Sequence, residues 1–176
     1  MLMQSKCKKC RRAGEKLYLK GDKCFSPKCP FIERPYAPGI LDSQRKHRSN
    51  LSEYGSQLKE KQKIRYTYGL TEKQMSNYIK DIGVISKKMN ISPQVALITT
   101  IERRLDNVIF RLGIASSRFL ARQLVSHGHI LLNGEKVTIP SILINEGDIV
   151  SIREGSKSIK VLTLNTERIK DSKLPE

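Results

Sequence analysis

The sequence predicts an α+β protein, in which a helical N-terminal region with a four-cysteine knob precedes a compact helix–helix–β-hairpin module. Three observations support this fold class. Four cysteines lie between Cys7 and Cys29 in a lysine-rich segment, apolar residues recur at helical spacing further along the chain, and Asn133-Gly134 separates two short apolar runs. These signals predict, in that order, a metal-tied knob, amphipathic helices and a tight hairpin. The 176 residues have room for one domain or two small ones.

The cysteine spacing predicts one structural zinc ion in the knob. Cys7-x2-Cys10 and Cys24-x4-Cys29 each allow one turn to present two thiolates, and four such ligands suit tetrahedral Zn²⁺. The lysines and arginines next to the first pair would lower the thiol pKa values and offset the negative charge of the site. Four unrelated reduced thiols, redox chemistry and an iron–sulfur cluster remain alternatives to zinc.

The knob and the next few residues hold several prolines and few periodic apolar residues, but helical patterns follow. A first helix is predicted from Glu53 to a stop at Gly69. Thr71 and Gln74 then form a capping-box pattern that opens a second helix, which we expect to end at Gly83.

The pattern then predicts two more helices and the hairpin. Ser92-Pro93 opens a long helix with a stop at Gly113, and Ser116 is expected to cap a shorter one that His127-Gly128 closes. Strands are predicted on both sides of Asn133-Gly134, the strongest short hairpin signal. Further strands are expected over 142–144 and 149–152, and another over 159–164.

The chain is strongly basic, and its charge is uneven. Lys and Arg number 33 against 17 Asp and Glu, which gives a net charge of +16, and residues 1–50 carry thirteen basic and four acidic side chains. Because so large a charge opposes compaction, we expect a polyanionic partner, and nucleic acid is favoured over a merely soluble cationic protein. No apolar run could span a membrane, and the N-terminus resembles neither a secretory signal nor a transit peptide, so a cytoplasmic location is expected.

Arginines recur at helical spacing in the second half of the chain. Arg118 and Arg122 are four apart and share a helix face, and Arg104 and Arg111 are expected to share a face of the preceding helix. Guanidinium groups grip phosphate through two parallel hydrogen bonds, so these faces predict contacts with a nucleic-acid backbone. In the alternative interpretation the arginines are simply solvated, Arg104 pairs with a nearby acid, and Asp106 is a structural residue.

These motifs resemble a known family. The stretches Glu102-Arg-Arg-Leu-Asp-Asn107, Arg118-x3-Arg122-Gln-Leu-Val-Ser-His-Gly-His-Ile130 and Asn133-Gly134 are similar to the RNA-binding module named after ribosomal protein S4. The small-subunit ribosomal protein S4 family itself is resembled by the four-cysteine start, Arg34-Pro-Tyr-Ala-Pro-Gly39, Leu58-Lys-Glu-Lys-Gln-Lys63, Tyr68-Gly69-Leu70 and Glu72-Lys-Gln74. Two departures are Ile40-Leu-Asp42, where the family usually has Gln-His-Gly, and a short, poorly matching tail after Lys157.

The resemblance implies two domains and a role in the ribosome. Residues 1–92 would form a zinc-tied helical domain that binds ribosomal RNA, completed by the tail 160–176, and residues 93–159 would form the S4-type module. The chain would be a structural constituent of the small ribosomal subunit that binds its rRNA early and nucleates assembly. It would lie near the path by which mRNA enters, beside ribosomal proteins S3 and S5. Some family members also repress their own messenger.

The predicted RNA contacts combine the family motifs with the basic N-terminal half. They are Arg103, Arg104, Arg111, Ser116, Arg118, Arg122, Gln123, His127, His129, Lys136, Arg45, Lys46, Arg48, Lys59, Lys61, Lys63 and Arg65. No catalytic triad, phosphate-cradling glycine loop or carboxylate pair stands out, so neither an enzyme nor a small-molecule substrate is expected. The alternatives are an RNA-binding accessory factor, an RNA-modifying enzyme that uses the module as a tether, and a zinc-bearing DNA-binding regulator.

Overall fold

The computed structural model describes residues 6–39 and 52–157, and these form two compact units divided between Leu70 and Thr71. The first unit contains helices α1 (Lys6–Ala13), α2 (Pro30–Glu33) and α3 (Glu53–Tyr68), with a 3-10 turn at Gly21–Cys24. The second contains α4 (Glu72–Met89), α5 (Pro93–Glu102), α6 (Leu105–Arg111), α7 (Arg118–Ser126), β1 (Ile130–Leu132), β2 (Glu135–Val137), β3 (Val150–Ile152) and a 3-10 turn at Glu154–Ser156. This mixed composition confirms the predicted α+β class.

Helix α3 begins and ends where the sequence predicts. The Ser52 hydroxyl caps it by accepting a hydrogen bond of 3.1 Å from the Gly55 N–H. Gly69 ends it in the left-handed conformation with φ 65°, which glycine adopts without the steric cost of a Cβ atom. Helix α1 packs against both α2 and α3, and this packing holds the cysteine segment to the helical part of the unit.

Helix α4 starts as predicted but is longer. Both hydrogen bonds of the Thr71–Gln74 capping box are present. The predicted stop at Gly83 is wrong, because the helix continues to Met89 and ends at Asn90, which adopts φ 50°. One interior glycine costs a helix only about 1 kcal/mol, which the flanking turns offset.

The long helix predicted from Ser92 to Gly113 is in fact two helices, α5 and α6. The break falls at Arg103 and Arg104, where the chain turns to bond a distant segment. The Leu105 N–H donates to the Ile142 carbonyl at 2.8 Å, and the Ile144 N–H donates to the Arg103 carbonyl at 2.8 Å. These long-range bonds satisfy backbone groups that a continuous helix would have bonded internally.

The C-terminal part of the second unit is a three-stranded antiparallel sheet in the order β2-β1-β3. The Asn133-Gly134 hairpin is confirmed, with Ile130 opposite Val137. Residues 142–144 do not form the predicted strand but contribute one bridge, between Arg104 and Leu143. The N-cap of α7 is Ser117 rather than Ser116. The strand predicted over 159–164 lies outside the described residues.

The core of the second unit joins α6, α7 and β1. Leu105, Ile109, Ala121, Val125 and Ile130 are each fully buried there. Both α4 and α5, which the predicted boundary after residue 92 would separate, belong to this unit and pack against each other. Within the described ranges, no helix is both long and apolar enough to cross a bilayer.

Candidate nucleic-acid interface

A buried ion-pair network lies where α6 begins. The Asp106 carboxylate, 3% exposed, accepts hydrogen bonds from Arg104 Nε at 3.1 Å and Nη2 at 2.9 Å. It also accepts from Arg122 Nε at 2.9 Å and Nη2 at 2.6 Å. Arg104 Nη1 donates to the Tyr78 hydroxyl at 2.7 Å, so the network connects α4, α6 and α7. One buried carboxylate therefore fixes the orientation of two guanidinium groups.

The prediction that Arg104 lies on an exposed helix face with Arg111 is wrong. Arg104 is 2% exposed, and it is the N-cap residue of α6 rather than part of its surface. Burial lowers the pKa of Arg104, but the hydrogen bonds and charge of Asp106 outweigh burial and raise the pKa overall. The alternative interpretation, in which Arg104 pairs with an acid and Asp106 is structural, is confirmed.

The predicted residues Arg111 and Arg118 are joined through a second polar network. Arg111 forms two hydrogen bonds with the Glu102 carboxylate, at 3.0 and 2.7 Å, and its side chain is 59% exposed. The amide of Asn107 donates to Glu102 Oε2 at 2.6 Å, while its oxygen accepts from Arg118 Nε at 2.7 Å. The Arg118 guanidinium also lies 4.4 Å from the centre of the Phe110 ring. Both arginines are thus held in defined orientations at the surface of the unit.

Asn107 and Tyr78 are organising residues that the sequence analysis did not assign. Asn107 is 2% exposed and connects Glu102 to Arg118, and Tyr78 contacts Arg104 from α4. Asn107 belongs to the stretch Glu102-Arg-Arg-Leu-Asp-Asn107, so the resemblance of that stretch to the S4 module could have identified it. No local pattern connects Tyr78 with a residue 26 positions later.

A small polar cavity of about 230 Å³ adjoins the buried network. Arg122 contributes to its wall, and its side chain is 28% exposed, so part of its charge faces the opening. The other lining residues are Thr71, Gln74, Arg104, Pro140 and Ser141. The cavity therefore presents hydroxyl, amide and guanidinium groups together.

A second group of predicted residues meets at the end of α7. The rings of His127 and His129 have centroids 5.9 Å apart, and His129 Nδ1 lies 2.9 Å from the Ser156 hydroxyl oxygen. A Cβ atom added to Gly128 would overlap the aliphatic part of the Lys136 side chain, so Lys136 crosses the backbone between the two histidines. Gln123, His127 and Lys136 are exposed. The structure thus brings together residues from α7 and from the hairpin.

The two remaining predicted residues of the module lie elsewhere in it. Arg103 Nε donates to the Ile144 carbonyl at 3.0 Å, and its guanidinium also bonds the side chain of Asn145. Ser116 is half-buried and directly precedes the α7 cap. Arg103 therefore anchors the 142–145 segment to α5, a structural contact that the sequence did not indicate.

The predicted cations of the first unit lie on α3. Lys59 is exposed, whereas Lys61, Lys63 and Arg65 are partly buried. Lys63 Nζ pairs with Glu15 at 2.6 Å and Glu60 at 3.0 Å. Arg65 lies 4.9 Å from the Tyr66 ring centre. The predicted contacts Arg45, Lys46 and Arg48 lie outside the described residues.

All four cysteines lie in the first unit. Cys10, Cys24 and Cys29 are buried and Cys7 is partly exposed, and none of them forms a disulfide. Burial raises the pKa of Cys10, and the charges of the three other thiols raise it further, against a hydrogen bond from the Leu17 backbone. The described part of the chain nevertheless holds no set of three or more His, Cys, Asp or Glu side chains already arranged as a metal site.

The fold and the site define the class of nucleic-acid-binding proteins. The chain is basic, and its compact helix–helix–hairpin module holds several arginines in defined orientations. Residues 1–94 match the family described as "Ribosomal protein S4/S9 N-terminal domain", and residues 103–150 match the "S4 domain". The chain belongs to the ribosomal protein S4 family. This membership confirms the expected non-enzymatic, ribosomal character.

Curated relatives resemble most of the chain. A protein of Thermoanaerobacter sp. (strain X514), named "Small ribosomal subunit protein uS4", is 50% identical over 161 residues, which are 92% of this chain and 75% of the relative. Proteins of the same name from Fervidobacterium nodosum and Lawsonia intracellularis are 49% identical over 154 residues and 47% identical over 158 residues. Those matches cover 88% and 90% of this chain, and 70% and 73% of the relatives.

Proposed function

We propose that this chain is a structural constituent of the small ribosomal subunit, where it binds ribosomal RNA directly and early and nucleates assembly. The observation that carries the proposal is the succession of the two family matches, over 1–94 and 103–150, in a chain with a net charge of +16. The charge supplies attraction to phosphate regardless of sequence. The packed module supplies surfaces of defined shape.

Recognition would rest on RNA shape and backbone phosphates. The deep, narrow major groove of A-form RNA excludes side chains, so proteins recognise such RNA largely by its form. Arg111, Gln123, His127 and Lys136 are the exposed members of the predicted set in the module, and they form the proposed contact surface. Asp106, which is itself paired with Arg104, acts behind this surface by holding the partly exposed Arg122 in place.

A salt titration of binding tests this surface. The Arg111→Ala/Lys136→Ala variant removes two exposed cations, so the slope of log affinity for purified small-subunit rRNA against log salt should become shallower by about 1–2. The matched control is Lys87→Ala/Lys88→Ala, which removes the same charge from the last turn of α4. Filter binding measures the slopes. An equal change in both variants would mean that only bulk charge matters and would contradict the assigned surface.

We also infer that the four cysteines hold one structural Zn²⁺. Four thiols, three of them buried, are the soft ligands that zinc prefers. The Lys20 N–H donates to Cys24 Sγ at 3.3 Å, and the Leu17 backbone bonds Cys10. Such donors stabilise thiolates. When bound, the ion would tie α1 to the following turns of a segment that has a small apolar core of its own.

Metal content and chelation test the zinc proposal. The purified, reduced chain should contain one zinc per molecule by elemental analysis, and removing it with a chelator should lower the thermal transition measured by circular dichroism. Cys24→Ser should lower the bound metal in the same way. A reduced, folded chain that lacks metal and melts unchanged after chelator treatment would contradict the proposal.

We propose S3, S5 and the incoming mRNA as neighbours in the subunit, with repression of the chain's own messenger as a further role. Chemical crosslinking of assembled small subunits, followed by mass spectrometry, identifies the protein neighbours. Repression should appear as lower translation of a reporter that carries the chain's own leader when the chain is added. A scrambled leader is the control, and equal translation of both reporters would remove this role.

A further inference from the structure

Two aromatic rings stack on each other at the surface of the cysteine-containing segment. The centroids of Tyr18 and Phe25 are 5.1 Å apart, and the ring planes differ by 28°. Tyr18 is 48% exposed and Phe25 is 72% exposed. Stacking covers only one face of each ring, so Phe25 in particular turns a large apolar face to solvent.

The backbone holds Tyr18 outward at a conformational cost. Its neighbours Leu17 and Leu19 are buried, with 9% and 3% exposure. Tyr18 itself has φ 50°, a left-handed conformation that is unfavourable for a residue with a Cβ atom. Phe25 directly follows the buried Cys24, at the end of the 3-10 turn. Neither ring contributes to the core, yet the backbone places both at the surface, an arrangement typical of a binding surface.

The charge around the rings indicates what they bind. Lys20, Lys23 and Lys28 are exposed and lie within three positions of one ring or the other, with Asp22 as the acid among them. An apolar platform rimmed by cations suits a polyanion with flat apolar groups. Single-stranded nucleic-acid sites combine these two features, because bases stack on aromatic rings while lysines neutralise the phosphates.

We propose that the Tyr18–Phe25 pair is a stacking platform for one unpaired base of the RNA that the chain binds, with Lys20 and Lys23 near the flanking phosphates. This inference rests on the proposed function and adds a subsite to it. The platform would favour a nucleotide that the RNA leaves unpaired, since a base inside a helix offers no free face. It would thus contribute affinity that depends little on salt.

Zero-length ultraviolet crosslinking tests the contact in the full chain. The wild-type protein, bound to purified small-subunit rRNA, is irradiated and digested, and the peptide–nucleotide conjugates are located by mass spectrometry. The proposal predicts a conjugate on Phe25 or Tyr18. Conjugates found on other residues and on neither ring would overturn it.

Variants separate stacking from bulk and charge. Phe25→Leu keeps an apolar side chain but loses the ring, and should weaken rRNA binding on the order of tenfold without changing the salt slope. Phe25→Tyr should retain wild-type affinity. Tyr54→Leu, at an aromatic residue of α3 that is 74% exposed, is the matched control and should bind as the wild type does. Tyr18→Leu provides a second, independent loss of a ring.

The outcomes distinguish this inference from the proposed function. If the wild type binds rRNA selectively but Phe25→Leu and Tyr18→Leu bind equally well, the platform is wrong and the exposed rings instead serve a protein neighbour. If the wild type itself shows no preference for rRNA, the proposed function fails and the platform fails with it. A conjugate on either ring, together with loss in both leucine variants and recovery in Phe25→Tyr, supports the platform.

Discussion

Replacing Asp106 with alanine tests the buried network most severely. The carboxylate accepts four hydrogen bonds, two from Arg104 and two from Arg122, between 2.6 and 3.1 Å. The Arg104 side chain is 2% exposed, and it bonds the Asp106 carboxylate and the Tyr78 hydroxyl. Removal of the carboxylate leaves it with the Tyr78 hydroxyl of these two. Breaking a buried ion pair by deleting one member typically costs about 3–5 kcal/mol, because the remaining charge stays desolvated. Asp106→Ala should therefore lower the free energy of unfolding by about that amount.

Two further variants locate the source of this loss. Arg122→Ala should cost less, about 1–2 kcal/mol, because the Arg122 side chain is 28% exposed and water screens its pair. Arg104→Met combined with Asp106→Leu should recover most of the stability, since apolar residues of similar size often replace a buried ion pair without loss. Urea unfolding followed by circular dichroism measures all three. A loss below about 1 kcal/mol in Asp106→Ala, or a double variant no more stable than the single one, would refute the reasoning.

Three other predictions concern single sites. Gly83→Ala should stabilise the chain by about 0.5–1 kcal/mol in thermal melts, because Gly83 lies inside α4 and an added Cβ atom meets nothing within 4 Å. Destabilisation by this substitution would show that α4 is interrupted at Gly83. Gly128→Ala should destabilise the chain by about 1–2 kcal/mol, because Gly128 has φ 73° and an added Cβ atom would displace the Lys136 side chain. Gly155→Ala is the control, because an added Cβ atom there meets open space. Equal melting temperatures for the two variants would contradict the prediction. Hydrogen bonds from the Asn133 side chain and the Asn145 backbone lower the pKa of Asp148. Asp148→Ala should therefore have a lower free energy of unfolding than the wild type above the ordinary aspartate pKa. This difference should disappear as the pH falls through the lowered pKa of Asp148. A difference that does not change with pH in urea titrations would contradict the prediction.

The sequence predicted correctly those helix ends and turns that depend on residues close to them in the chain. Ser-Pro at the start of α5, the Thr71 capping box, Gly69 and Asn133-Gly134 each act within a few residues of their own position. The structure therefore agrees with the sequence at those points. The stop predicted at Gly83 failed because one glycine is a weak helix breaker when strong turns flank it.

The remaining errors have distant causes. The chain leaves the helix after Glu102 because residues 103–106 bond a segment about 40 positions later, and no periodicity encodes that pairing. Arg104 shares the helical spacing of a surface arginine, yet Asp106 and Tyr78 draw it into the interior. Which arginines stay at the surface thus depends on tertiary contacts, so the sequence indicated the chemistry of the site better than its geometry.

A competition binding experiment tests the central claim most directly. The purified chain is bound to labelled small-subunit rRNA, and unlabelled rRNA or duplex DNA of equal length is added at the same salt concentration. We predict that rRNA displaces the label at a concentration roughly tenfold lower than DNA does, because a shaped surface adds to the charge attraction that both polymers share. Equal displacement by the two polymers would show that the chain binds through charge alone and would contradict the account.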